Sequence, residues 1–133
     1  MEKVHKVIVG FFVAVIIIIA ILFFISIKKE NNYYTCTQTL GLPSEAVLYY
    51  GDTCPHCKIV EDFLTENDVA SRLDFVQKEV YRNNTNAQEL LLIGSLCRLP
   101  SNYVGSVPLF YMDGKAFLGD KPIIEFLNNT YFN

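Results

Sequence analysis

Cys54-Pro55-His56-Cys57 sets two thiols three positions apart, between the apolar pentad Ala46-Val47-Leu48-Tyr49-Tyr50 and an amphipathic helical pattern. A segment that must end a buried strand, turn within Gly51-Asp52 and then start a helix leaves few folds open. Pro55 falls at the first helical position, where its missing N–H costs nothing and its φ is already helical. The helix N-terminus offers free N–H groups and partial positive charge, which favour a thiolate at Cys54. His56, when protonated, adds further stabilisation to a neighbouring thiolate. Cys54 as attacking thiol beside Cys57 as resolving thiol is the minimum equipment for thiol–disulfide exchange. A zinc site would need two further ligands, and no second CxxC or histidine cluster is there to supply them. No metal is expected.

The 133 residues fall into two compositional blocks. Val7 to Ile27 is a run of 21 residues without a charge. As a helix it spans about 31 Å, against a bilayer core of about 30 Å. It exceeds a typical signal-peptide core, and no small-x-small cleavage site follows it at Phe24-Ile25-Ser26-Ile27-Lys28-Lys29. The expectation is an uncleaved transmembrane anchor in residues 1–29, its span at about 7–27, with the lipid bilayer as a partner. Lys3 and Lys6 with the terminal amine, set against Lys28 and Lys29, lean toward an N-terminus in the cytoplasm. This single-pass topology puts the cysteine-bearing domain outside, where disulfides persist. Residues 31–133 carry 7 Lys and Arg against 12 Asp and Glu, a net charge of −5. That balance excludes the basic face a nucleic-acid partner requires.

Residues 30–45 read as a linker, whose Thr35–Thr39 alternation could add a short edge strand but is too brief to insist on. From 46 to 133 one small domain follows. Its expected elements are a strand at 46–50, a helix at 55–67, a strand at 73–80 and a helix at 85–96 opened by a Thr85-x-x-Gln88 capping box. A hairpin over 107–118 turns at Asp113-Gly114, and a helix at 122–128 closes the chain. The order is β-α-β-α-β-β-α: a four-stranded mixed sheet flanked by helices, the first two strands parallel. The cysteine pair sits beyond the carboxyl end of a central strand, where open α/β sheets place their chemistry.

Three segments carry a resemblance: Leu48 through Cys57, then Ser106-Val107-Pro108-Leu109-Phe110, then Gly114-Lys115 with Gly119-Asp120. Together they resemble the thioredoxin superfamily, closest in its minimal glutaredoxin-like form, over residues 46 to about 129. The resemblance implies that Pro108 is a cis-proline lying against the active-site disulfide. It also implies that Val107 offers its backbone to an incoming substrate strand, with Pro55 as a second substrate contact. The Pro-His dipeptide is that of the DsbA-like oxidants, while the overall pattern is similar to glutaredoxins, so the direction of electron flow stays open. Asp120 reads as the cap of the last helix, the alternative being a ligand for a glutathione amine. Thioredoxins place a buried carboxylate six residues before the first cysteine; here that position is Leu48.

Cys36 and Cys97 have three readings: an auxiliary thiol at Cys97, a structural bridge between the two, or two inert buried thiols. The whole reads as a membrane-anchored thiol–disulfide oxidoreductase: a protein disulfide oxidant, reductant or isomerase. Its partners would be protein thiols and disulfides, and a redox partner, in the membrane or outside it, that recycles the dithiol. No cofactor beyond the Cys54–Cys57 disulfide is required, with glutathione left open. The alternatives are a cytoplasm-facing glutaredoxin-like reductase and a non-catalytic, redox-regulated interaction module of a membrane complex.

Overall fold

The computed structural model describes residues 2–27, 32–38 and 40–132, and in the first of these segments the side chains from 8 to 22. The chain forms two units, residues 1–31 and 32–133. The first holds helix α1, Glu2–Ile27. Among the described residues no helix is long and apolar enough to cross a membrane. The expected anchor at 7–27 is corrected on that ground. With it go the lipid bilayer as partner, a recycling partner in the membrane, and the topology with a cytoplasmic N-terminus and an external domain.

The second unit begins with a short edge strand, at 34–35 rather than over the 35–39 alternation. Tyr34–Thr35 forms β1, followed by β2 (Ala46–Tyr50), α2 (Pro55–Glu66), a 3-10 turn at Val69–Ser71, β3 (Phe75–Glu79), α3 (Asn84–Leu96), β4 (Leu109–Met112), β5 (Lys115–Leu118) and α4 (Asp120–Tyr131). The expected fold class is therefore corrected twice. The sheet has five strands, ordered β1-β5-β4-β2-β3, and no membrane-crossing helix is found before it among the described residues. β2 runs parallel to β3 and antiparallel to β4, and β5 pairs antiparallel with both β4 and β1.

Side chains on a strand alternate between faces, and here the two faces carry separate cores. Val47, Tyr49, Leu109, Tyr111 and Ala116 pack with Leu90, Ile93 and Cys97 of the α3 segment. Ala46, Leu48, Phe110 and Phe117 pack with Val60 and Leu64 of α2 and Ile123 and Leu127 of α4. β2 is buried on both faces, which is why it reads as an unbroken apolar run.

Local chemistry sets the element ends. Asn83, not Thr85, caps α3, its side chain accepting the Asn86 N–H at 3.2 Å. Asp113 and Gly114 both hold positive φ, 49° and 72°, as a two-residue hairpin turn of this hand needs. Beyond α3, Arg98 adopts φ 56°, a left-handed conformation that costs a side-chain-bearing residue roughly 1 kcal/mol or more. Arg98→Gly is thus expected to raise stability by up to about 1 kcal/mol. The gain would appear as a higher urea midpoint at unchanged slope.

Candidate functional site

Tyr50 ends β2, and the chain turns through Gly51 to Thr53 before α2 begins. Gly51 lies under the Tyr81 ring, close enough that any Cβ there would collide with it. Arg82 Nη1 reaches Asp52 Oδ2 at 2.9 Å, so the loop after β3 is fastened to the segment leading into Cys54. The Cys54 N–H donates to the Gly51 carbonyl at 3.0 Å, and Pro55 occupies the first turn of α2.

Cys54 is the N-cap of α2, and its Sγ accepts the Cys57 N–H at 3.2 Å. That N–H is one of the donors a helix leaves unpaired at its start. When the pair is reduced, the same donor and the helix dipole stabilise negative charge on this sulfur. Cys54 and Cys57 form a disulfide, their Cα atoms 5.2 Å apart. Cys57 is buried and Cys54 half-buried, so an approaching sulfur meets Cys54 first.

Opposite the pair, the Val107–Pro108 peptide is cis, and the Val107 carbonyl oxygen lies 3.8 Å from Cys54 Sγ. The described strand β4 therefore starts at Leu109, two residues later than the expected 107. Pro108 is fully buried. His56 is largely exposed, its Nδ1 3.3 Å from Asp120 Oδ1. The N-cap of α4 is Gly119, and Asp120 lies in the helix's first turn, so its expected role as cap of the last helix is corrected: its carboxylate faces His56.

Two cavities flank the cysteines. One, of about 220 Å³, reaches Cys54 and Cys57 beside Leu48, Gln77, Lys58 and Glu61. Leu48 is buried, and no charged side chain among the described residues is, so the cavity floor offers Cys57 no carboxylate. Glu61 lines the same cavity, exposed, with Lys58 Nζ 3.5 Å from its Oε2. The second, an open groove of about 440 Å³, runs past His56, Val107, Pro108 and Asp120 and is lined also by Tyr34 and Tyr103.

Cys36 and Cys97, left open by the sequence, form the second disulfide. Neither lines either cavity, and Cys97 is 1% exposed. Of the loop 98–106 it is Tyr103 and Ser106, not the cysteine before it, that come to the groove. The groove residue that sequence reasoning missed is Tyr34, while Tyr103, by sequence a core or rim aromatic rather than a substrate platform, lies on the groove with Ser106. The only signal for Tyr34 was a tyrosine in a segment rich in turn-forming residues. Among the described residues no group of three or more His, Cys, Asp or Glu is gathered as for a metal ion. No family model matches this chain, and no curated protein is significantly similar to it.

Proposed function

We propose that residues 32–132 form a small glutaredoxin-like unit that exchanges a disulfide with protein substrates through Cys54 and Cys57. The observation that carries this reading is the placement of Cys54: a half-buried sulfur on a helix N-terminus, 3.8 Å from the carbonyl oxygen of the cis Val107–Pro108 peptide. In the reduced protein the Cys54 thiolate attacks one sulfur of a substrate disulfide, forming a mixed disulfide and expelling one substrate thiolate. The Cys57 thiol loses its proton to water and attacks Cys54 Sγ. This forms the Cys54–Cys57 disulfide and releases the second substrate thiolate, so two electrons pass to the substrate. With Cys54–Cys57 oxidised, the same steps run in reverse on a substrate dithiol.

A second reading, a redox-regulated interaction module, is favoured by Leu48. An apolar floor beneath Cys57 slows its deprotonation and prolongs the mixed disulfide, which suits holding a partner cysteine. The purified full chain separates the two in insulin reduction by dithiothreitol and in oxidation of a reduced peptide. Cys54→Ser should reduce both rates to background. If that variant matches the unmutated protein in both, the exchange reading is wrong.

A further inference from the structure

Tyr34 enters the groove from a strand too short to hold itself. β1 pairs with β5 at only two positions, Tyr34 with Ala116 and Thr35 with Lys115. An edge strand of that length frays readily unless something beyond it is fixed. Here the fixing is covalent. Two residues past Tyr34, Cys36 is joined to Cys97, itself buried among Leu90 and Ile93 at the end of α3. The Cys36 N–H also reaches the Gly114 carbonyl, and the Thr37 N–H the Leu96 carbonyl, both at 2.9 Å. Tyr34 packs with Leu118 against the same core, and both residues line the groove that holds Val107 and Pro108.

The groove has a definite chemical character. Two tyrosines, Tyr34 and Tyr103, line it near the Val107-Pro108 backbone. Its ionisable side chains are His56, Tyr34, Tyr103 and Asp120, and neither lysine nor arginine is among its lining residues. Glutathione, with two carboxylates and one amine, finds no lysine or arginine there. A neutral or basic peptide carrying an aromatic ring finds two ring partners and an acid.

We infer that Tyr34, braced by the Cys36–Cys97 disulfide, is a specificity-determining residue: it selects extended protein segments with a large apolar or aromatic residue beside the reacting cysteine. The inference rests on the exchange reading above and names its substrate class. The Cys36–Cys97 disulfide acts through Tyr34 as a positioning element and carries no electrons in turnover.

The test uses the full chain, reduced at Cys54–Cys57 by one equivalent of a dithiol, and three disulfides. Two are the peptides Gly-Phe-Cys-Phe-Gly and Gly-Gly-Cys-Gly-Gly, each blocked at cysteine with thionitrobenzoate, whose release is followed by absorbance. The third is dipyridyl disulfide, too small to need the groove. The unmutated protein is expected to react roughly fivefold faster with the Phe-flanked peptide, as one aromatic contact would give. Tyr34→Ala should erase that ratio, while Tyr34→Phe keeps it; dipyridyl disulfide reports only whether Cys54 reacts. Cys36→Ser with Cys97→Ser should lower the ratio in the same way. No preference in the unmutated protein, or a preference that survives Tyr34→Ala, overturns the inference. Failure of Cys54 to react with dipyridyl disulfide would instead remove the exchange reading and this inference with it.

Discussion

Cys57→Ser is expected to leave the protein covalently joined to its substrate. Cys54 remains on the α2 N-terminus with the residue-57 N–H still donating to its sulfur, so attack on a substrate disulfide proceeds. The resolving sulfur is gone, and the mixed disulfide has no internal route to collapse. A species of summed mass should accumulate on a non-reducing gel and vanish on adding dithiothreitol. The asymmetry of the pair makes the converse variant different: with Cys54→Ser the surviving thiol is the buried one, and little adduct should form. Equal trapping by both variants would mean that the two sulfurs are equally accessible, against the burial seen here.

The second large effect concerns stability. Cys36 and Cys97 are 61 residues apart, and closing a loop of that length removes unfolded-chain entropy equivalent to about 4 kcal/mol. Cys36→Ser with Cys97→Ser should therefore cost about that much, a large share of the roughly 5–15 kcal/mol that holds a domain folded. Urea titration of the double variant against the unmutated protein measures it. A loss below about 1 kcal/mol would show that β1 and its contacts contribute little to the folded unit.

Much of the site could be read from sequence because it is built from local signals. The pentad 46–50, the break at Gly51-Asp52 and Pro55 each act within a few residues, and together they fix where Cys54 stands. Asp113-Gly114 likewise carries its own turn. What stayed open or was misread depends on partners far along the chain. Tyr34–Thr35 is a strand only because β5, some eighty residues later, offers an edge and because Cys97 holds Cys36 in place. Asp120 looked like a cap by its place before the expected helix, but it lies within that helix's first turn, its Oδ1 3.3 Å from His56 Nδ1 of α2. The helix it opens also runs beyond the expected 122–128 at both ends: Pro122 falls in its first turn, where a missing N–H is tolerated. Residues 7–27 were read by hydropathy and length alone, a criterion that no helix among the described residues meets.

The five-stranded sheet also works as a partition. Cys97 belongs to the core on the α3 face, whereas α2, which carries Cys57, packs its apolar side against the opposite face. Sulfur exchanges with sulfur only by direct collision, and a sheet filled with side chains on both sides admits none. On the proposed exchange reading, one disulfide thus stays a fastening while the other opens and closes, without the two reshuffling.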